Sequence, residues 1–365
     1  MAKIGDICEI LDSKRVPITA TERQPGPYPY YGANGIQDYV ADYIFDDELV
    51  LLAEDGGNFG SKDKPIAYRV SGKCWVNNHA HVLKPKEGLD VDYLCYSLMF
   101  YDVTGLVNGA TRQKLTQADM RKMEIPLPPL DEQRKIAAVL DKVSDLIAKR
   151  HQQLDKLDEM VKARFAEMFG DPVGNPMGWE KIALGKRCDI VTGNTPSRAD
   201  PENYGNFIEW IKSDNINTPA VLLTEAQEYL SETGFHKCRF VEAGSLLMTC
   251  IAGSINCIGN VAVTDRRVAF NQQINAIVPK QDDVLYLYWL MLLSKPAIHS
   301  TINMALKGIL SKGQLSEMAF PFPPLELQNQ FSVFVKKTEK TKATISRSLE
   351  KLETLKKALM QEYFG

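Results

Sequence analysis

A proline-rich segment that leads into a long polar stretch occurs twice in this chain, 195 residues apart. "IPLPPLDEQRKIAAVLDKV" spans residues 125–143, and "FPFPPLELQNQFSVFVKKT" spans residues 320–338. Aligned on Pro126 and Pro321, the two copies continue without a gap to "AEMFG" and "QEYFG". One period of this size, present twice, indicates duplication of a domain-sized unit and excludes a solenoid of short repeats.

The segments 131–169 and 326–364 carry apolar residues at alternating steps of four and three. This heptad pattern favours two long helices that pair as a coiled coil, and Pro128-Pro129 before Asp131 is a typical helix start. Two unrelated amphipathic helices, each packed on its own domain, are the alternative. The predicted coiled-coil interface consists of Ile136, Leu140, Val143, Ile147, Leu154, Leu157 and Val161 in the first copy and Phe331, Val335, Ile345, Leu349, Leu352 and Leu359 in the second.

The duplication extends upstream of the helices. "GDICEI" at residues 5–10 matches "GKRCDI" at 185–190, and "VNNHAHVLKP" at 76–85 matches "FNQQINAIVP" at 270–279. Between these anchors the halves differ, and strand-like runs such as "ELVLLA" and "SLLMTCI" alternate with Gly, Pro and Asn. We predict an α+β fold with a globular domain at 1–125, a helix at 126–170, a second globular domain at 171–320 and a second helix at 321–365.

Motifs for catalysis are missing from the sequence. The nearest match to a phosphate-binding loop, "GILSKGQ", lacks the lysine after the second glycine, and G-x-G-x-x-G is absent. "EDGG" at 54–57 fits a turn at a strand end better than a carboxylate metal site. His79 and His81 would share a strand face, but their counterparts Gln273 and Asn275 are poor metal ligands. We therefore predict no catalytic residue, metal or cofactor in this chain.

Cysteine usage and hydropathy indicate where the protein works. The chain of 365 residues has seven cysteines without CxxC spacing, which favours free thiols in a cytoplasmic protein. The N-terminus "MAKIGDICEI" lacks the features of a signal peptide. The most apolar window, "VLYLYWLMLL", has about half the length of a membrane span, so it predicts a buried helix and no membrane partner.

Amide-rich stretches and polar loops with basic residues stand at equivalent places in the two halves. Asn and Gln can read adenine in the major groove, and Arg and Lys suit phosphate or guanine. The candidate nucleic-acid contacts are Asn77, Asn78, His79, Arg112, Gln113 and Lys114 in the first half and Gln272, Gln273, Lys307 and Lys312 in the second. The alternatives are amides that bond to backbone within a domain and loops that are merely solvated.

Taken together, these segments resemble the specificity subunit of type I restriction–modification enzymes. The resemblance rests on "PLPPLDEQ" with its long helix, "YYGANGI" and "WVNNHAHVL" in the first half and "TGNTPSRADPENYG" and "LSKGQL" in the second, and it covers essentially the whole chain. It implies two target-recognition domains that each read one half of a bipartite site in double-stranded DNA. It also implies that the two long helices pair antiparallel as a spacer, with approximate two-fold symmetry, and that the unlike halves read an asymmetric site.

The same resemblance implies partners and places catalysis in them. Two modification subunits would use S-adenosylmethionine to methylate adenine, and restriction subunits would use ATP and Mg to translocate and cleave. The formal net charge is −3 and neither globular segment has a basic surplus, so partner subunits are expected to supply much of the DNA clamp. The rival hypotheses are a scaffold that assembles proteins without reading DNA, and a stand-alone nuclease or methyltransferase.

Overall fold

A computed structural model describes residues 1–109, 113–302 and 308–365 of the protein. The chain divides into two compact units. The first unit consists of Met1–His151 and Arg347–Gly365, and the second unit consists of Gln152–Ser346. This division cuts both long helices, so each unit contains the beginning of one helix and the end of the other.

The first half of the chain has ten strands and four helices within residues 1–109 and 113–170, and a 3-10 turn at Asp12–Lys14. The strands are β1 (Ala2–Lys3), β2 (Cys8–Ile10), β3 (Pro25–Gly32), β4 (Gly35–Val40), β5 (Phe45–Ala53), β6 (Ala67–Val76), β7 (Ala80–Pro85), β8 (Val107–Asn108), β9 (Lys114–Leu115) and β10 (Glu124–Ile125). The helices are α1 (Ile4–Ile7), α2 (Val91–Met99), α3 (Gln117–Met120) and α4 (Leu130–Phe169).

The second half has twelve strands and six helices within residues 171–302 and 308–365, with 3-10 turns at Pro201–Asn203, Ser213–Asn215 and Ile255–Cys257. The strands are β11 (Lys181–Ala183), β12 (Cys188–Thr192), β13 (Tyr204–Ile211), β14 (Tyr229–Leu230), β15 (Phe240–Val241), β16 (Leu246–Thr249), β17 (Ile251–Ala252), β18 (Val261–Val263), β19 (Val268–Phe270), β20 (Ile274–Pro279), β21 (Gly308–Ile309) and β22 (Ala319–Pro321). The helices are α5 (Leu184–Arg187), α6 (Glu232–His236), α7 (Val284–Leu293), α8 (Lys295–His299), α9 (Lys312–Glu317) and α10 (Leu325–Phe364).

A six-stranded sheet in the order β2-β7-β5-β6-β3-β4 forms the centre of the first unit. Neighbouring strands run antiparallel except β3 and β6, which are parallel. Successive side chains of a strand point to opposite faces. On β5, Val50 and Leu52 join the core that α2 covers, while Leu49 and Leu51 join a second core on the other face. Burial on both faces explains why the second part of this strand, residues 49–53, is a continuous apolar run.

The second unit repeats this arrangement. Its strands β12-β20-β16-β18 correspond to β2-β7-β5-β6, and β13 pairs in parallel with β19 as β3 does with β6. The single strand β6 corresponds to two shorter strands, β18 and β19, which belong to separate four-stranded sheets. On β16, Leu246 and Met248 face one core and Leu247 faces the other. The prediction of an α+β fold with two similar globular parts is confirmed.

The long helices α4 and α10 have 40 residues each, and their bounds keep the offset of the sequence repeat. In the first unit, Leu359 packs against the cluster that contains Leu140, and farther along α4 His151 lies 3.9 Å from Glu353. In that unit, a later position on α4 therefore meets an earlier position on α10, which is antiparallel packing. None of the helices in the described ranges combines the length and apolar character needed to cross a membrane.

Burial of the predicted interface varies along the helices. The buried positions are Ile136, Leu140, Val143, Val161, Phe331 and Val335. The half-buried positions are Ile147, Leu154, Leu157, Ile345, Leu349, Leu352 and Leu359. The buried positions include Ile136, Leu140, Val161, Phe331 and Val335, which join the large apolar clusters of the globular parts, so packing against the globular cores contributes to this surface.

The end of α4 departs from a strict heptad. Continued beyond Val161, steps of four and three reach Arg164 and Met168, whereas Phe165 and Phe169 are the most deeply buried side chains there, each 1% exposed. An α-helix has about 3.6 residues per turn and drifts away from a repeat of 3.5. Steps of four keep Phe165 and Phe169 against the core around Tyr286. The centroid of the Tyr286 ring lies 5.7 Å from that of Phe165 and 5.0 Å from that of Phe169. The predicted interface ended at Val161, so Phe165 and Phe169 are buried residues that it did not include.

A buried glutamine ties the start of α4 to the globular part of the first unit. Gln133 is 0% exposed. Its Oε1 accepts a hydrogen bond from the backbone N–H of Asp90 at 2.9 Å, and its Nε2 donates to the carbonyl oxygens of Gly88 and Pro128 at 2.9 and 2.8 Å. Asp90 in turn caps α2, so one side chain joins two helices and the proline-rich segment.

In the second copy of the proline-rich segment, a buried glutamine makes corresponding hydrogen bonds. Gln328 is also 0% exposed and accepts from the backbone N–H of Asp283, the cap of α7, at 2.9 Å. Its Nε2 donates to the carbonyl oxygen of Pro323 and to the carboxylate of Asp282, each at 2.9 Å. The repeated segment is therefore a joint that sets the direction of each long helix relative to its own globular part.

Replacement of Gln133 by alanine is expected to lower the free energy of unfolding by about 1–3 kcal/mol, because buried backbone groups lose their hydrogen-bond partner. Gln328→Ala should have an effect of similar size. Chemical denaturation of the full chain measures both, with Gln152→Ala at an exposed position of α4 as the matched control. If Gln133→Ala is as stable as Gln152→Ala, the hydrogen bonds of Gln133 do not contribute to the free energy of unfolding.

Candidate nucleic-acid interface

Three segments of the first unit meet where strand β5 ends. The backbone N–H of Glu54 donates to the carbonyl oxygen of His79 at 2.9 Å, and the N–H of Leu115 donates to the carbonyl oxygen of Glu54 at 2.7 Å. The N–H of Gly56 donates to the carbonyl oxygen of Gln113 at 3.2 Å. We call segments 54–56, 77–79 and 113–115 the first loop cluster.

Segments 250–252, 271–273 and 308–310 form the second loop cluster at the equivalent place in the second unit. The N–H of Cys250 donates to the carbonyl oxygen of Gln273 at 2.8 Å, and the N–H of Leu310 donates to the carbonyl oxygen of Cys250 at 2.8 Å. Within this cluster, β17 pairs with β21. Corresponding backbone hydrogen bonds thus hold both clusters, although Cys250 stands where the first cluster has Glu54.

Most candidate contact residues in the described ranges lie on the surface of these clusters. The exposed ones are Asn78, Gln113, Lys114, Gln272 and Lys312. His79 and Gln273 are half-buried. Lys312 begins α9, two residues after the second cluster, and Ser311 caps that helix. Arg112 and Lys307 lie outside the described residues. The structure therefore brings candidates from distant parts of each half to one surface per unit.

Asn77 is a correction to the candidate set. Its side chain is 3% exposed, and its Oδ1 accepts from the backbone N–H of His79 at 2.8 Å. Asn271 makes the matching bond to the N–H of Gln273 at 3.0 Å in the second unit. Asn and Asp often close turns in this way. Asn77 therefore forms the turn and is too deeply buried for contact with a base.

A buried polar network lies beneath the first loop cluster. Asp12 Oδ2 is 2.7 Å from His81 Nδ1 and accepts from Gln117 Nε2 at 2.9 Å, and Asp12 Oδ1 accepts from the N–H of Val82 at 2.9 Å. His81 Nε2 is 3.0 Å from the carbonyl oxygen of Leu115. Burial by itself raises the pKa of Asp12, but these partners outweigh it and hold that pKa below its ordinary value. The network fixes the loop that follows Lys114.

Glu54 continues the network toward the surface. Its Oε2 is 2.5 Å from an Arg15 guanidinium nitrogen, which also donates to the carbonyl oxygen of Ala80 at 2.7 Å. Its Oε1 is 3.0 Å from Lys114 Nζ. Burial raises the pKa of Glu54, but hydrogen bonds from the two cations outweigh it and lower that pKa overall. Lys114 therefore reaches the surface from an anchored position, with half of its side chain exposed.

The acidic groups of this network are arranged as ion pairs. One ligand atom each of Asp12, Glu54 and His81 lie within 4.8 Å of one another, a spacing that a metal ion would also suit. The two cations on Glu54 already balance its charge, so we interpret the group as an ion-pair network. His79 does not join it, because His79 Nδ1 faces Asp55 at 3.2 Å. The two histidines that share a face in the sequence prediction have different partners.

The second unit replaces this charged network with neutral groups. Asn275, the counterpart of His81, accepts from Thr192 Oγ1 at 2.7 Å, and the two residues are neighbours in the β12–β20 register. At the surface, Gln272 Oε1 accepts from the hydroxyl of Thr195. The two loop clusters therefore share a backbone arrangement but present different chemistry.

Several residues of these sites were missed by sequence reasoning. Asp12, Arg15 and Gln117 belong to segments whose proximity depends on strand pairing, and no local pattern marks them. Gln133 and Gln328 could have been found, because the aligned proline-rich segments carry glutamine at the same place.

Comparison with protein families gives a match over most of the chain. The family model described as type I restriction modification DNA specificity domain matches residues 1–159 and again residues 176–354. The two matches correspond to the two halves of the duplication.

Individual proteins show the same likeness. A putative type I restriction enzyme specificity subunit of Haemophilus influenzae is 29% identical over 95% of this chain and 89% of its own length. The MjaVIII specificity subunit of Methanocaldococcus jannaschii is 22% identical over 99% of this chain and 90% of its own length. The crystal structure of a type I restriction–modification S subunit from M. genitalium superposes with a TM-score of 0.65 at 14% identity, over 100% of this chain and 95% of that chain.

Proposed function

Because this chain belongs to the family of type I restriction–modification DNA specificity proteins, we propose that it selects the target sequence in double-stranded DNA for such a complex. In this role the chain binds and orients DNA but catalyses no reaction. Methylation and cleavage belong to the other subunits.

The observation that carries the proposal is the pair of loop clusters. Corresponding backbone hydrogen bonds hold both clusters at the ends of equivalent strands. On this common framework, Lys114 projects over an acidic network in the first unit, while amides such as Gln272 project in the second. Side chains on base edges give sequence specificity. Two frameworks with different side chains therefore favour a bipartite and asymmetric target.

Partner subunits complete the DNA clamp in this proposal. The net charge of −3 leaves the chain without the basic surplus that binds phosphates strongly. Two modification subunits would supply S-adenosylmethionine and adenine methylation, and restriction subunits would supply the ATP- and Mg-dependent reactions. Val139 and Leu146, one heptad apart on α4, are 40% and 45% exposed. Such exposed apolar side chains suit a helix contributed by a partner.

We also propose that the complex works in the cytoplasm, where chromosomal and invading DNA are found. Seven cysteines are present as free thiols. Free thiols are typical of a reducing compartment.

The proposal is tested by mapping methylated adenines in DNA modified by the complex. The full chain is produced together with modification subunits of the same system in a host that lacks adenine methylation. We expect methylation at one asymmetric sequence with two specified parts separated by unspecified bases. A methylation pattern that is unchanged when this chain is omitted, or that follows no sequence, would refute the proposal.

A further inference from the structure

The hairpin formed by β3 and β4 lies at the edge of the six-stranded sheet, beside the first loop cluster. Its tip is held to that cluster, because Asn34 Nδ2 donates to the carbonyl oxygen of Gly56 at 3.0 Å. Gly35 at the tip has a φ of 105°, a backbone conformation that residues other than glycine rarely adopt. The hairpin is therefore fixed in place next to the exposed candidates Gln113 and Lys114.

A β-bulge interrupts the hairpin at Gln37. Tyr31 pairs with Ile36 and Tyr30 pairs with Asp38, so Gln37 is an extra residue between two paired positions. A bulge changes the direction in which a side chain points, and bulges are frequent next to functional sites. Gln37 is an exposed position of the edge strand.

The amide group of Gln37 is oriented by its neighbours. Its Oε1 accepts from Asn77 Nδ2 at 3.1 Å. Its end lies directly over Gly32, where an added Cβ would overlap the amide atoms. A larger residue at position 32 would therefore displace the amide of Gln37 from this place. Among the described residues, Nε2 of Gln37 and one lone pair of its Oε1 have no hydrogen-bond partner. A side chain that is already oriented loses less conformational entropy when it binds.

These features match what recognition of adenine requires. A two-stranded β-ribbon fits the major groove, and a glutamine amide can donate to adenine N7 and accept from the adenine N6 amino group. The neighbouring Asp38, whose charge would repel phosphate, lies 3.3 Å from an Arg23 guanidinium nitrogen. Ile36 is 49% exposed beside Gln37, and apolar side chains can contact the thymine methyl group.

We infer that Gln37 reads an adenine of the first half-site through the major groove, with the β3–β4 hairpin as the recognition element. This inference rests on the proposed function. In this inference Asn77 holds the Gln37 amide that contacts adenine, and this role accounts for the burial of Asn77 beneath the turn. Gly32 provides the space in which that amide lies.

The test is selection of bound duplexes from a randomised library by the full chain in complex with its modification subunits. Gln37→Ala is expected to lose the preference for adenine at one position of the first half-site by about 5- to 150-fold, while the other positions keep theirs. Gln37→Glu is expected to favour cytosine there, since a carboxylate accepts from the cytosine N4 amino group. Gln24→Ala is the matched control, because Gln24 is an exposed glutamine just before β3, at the other end of the hairpin.

The possible outcomes separate this inference from the proposed function. If the wild-type complex selects a sequence and Gln37→Ala selects the same sequence with the same preferences, the inference is overturned and the proposed function stands. A uniform loss of affinity for all sequences also overturns it. If the wild-type complex selects no sequence, the proposed function itself fails. Gln37→Met keeps the length over Gly32 without the amide, so it should lose the same preference even if alanine disturbs the hairpin.

Discussion

A Phe165→Ala variant is expected to lose about 3–5 kcal/mol of unfolding free energy, because a large buried side chain leaves a cavity. The loss should fall on the second unit, although Phe165 belongs to the helix of the first copy. Phe165 is 1% exposed, stacks on Tyr286 and meets Phe331 edge-on at 5.4 Å between ring centroids. The end of α4 is therefore part of the core of residues 152–346.

Hydrogen exchange followed segment by segment measures where stability is lost. Amides of β16 and α7 should lose protection in Phe165→Ala. Leu146→Ala is the control, since Leu146 lies on the same helix and is 45% exposed. Exchange that increases only at residues 1–125 would contradict the assignment of this helix end to the second unit.

Replacement of both Arg112 and Lys114 by alanine is expected to weaken recognition of the first half-site by about 2–6 kcal/mol, if each residue makes one base contact. Preferences within the second half-site should not change. Lys307→Ala combined with Lys312→Ala should give the converse result. In the first unit, Lys114 is anchored by Glu54 at 3.0 Å, so its charge is presented in a defined place.

Binding of the complex to duplexes that vary in one half-site at a time measures these effects. The matched control is Arg121→Ala with Lys122→Ala, which removes the same two residue types from exposed positions beside Gly5. Measurements at several salt concentrations distinguish phosphate contacts from base contacts. Each lost phosphate contact reduces the slope of log K against log salt by about 0.9. Equal binding of the double variant and the control would show that this loop does not contact DNA.

The duplication and the long helices were predictable because both leave periodic marks in the sequence. The bounds of α4 and α10 keep the offset at which Pro126 and Pro321 align. The packing of their ends was less predictable. A heptad pattern assumes one partner helix, whereas Phe165 packs against a globular core and follows steps of four. The globular core next to the end of α4, and not a repeat within the helix, determines which face of the helix is buried there.

The candidate interface was predictable as a region but not residue by residue. Equivalent amide-rich stretches marked the turns that join both loop clusters. Composition alone, however, does not distinguish Asn77, which is buried in the turn, from the exposed Asn78. It also gave no sign of Gln37, whose direction depends on a bulge and on space above Gly32.

The sequence by itself determined that this protein has two related halves, that each half ends in a long helix, and that the halves differ between their anchors. These properties follow from repeats and hydrophobic periods, which are local along the chain. Only the tertiary structure decided which polar side chains reach the surface of each loop cluster and which hold it together. Hydrogen bonds between strands bring Asp12, Glu54 and His81 within reach of one another, and such pairing depends on register across distant segments rather than on local pattern.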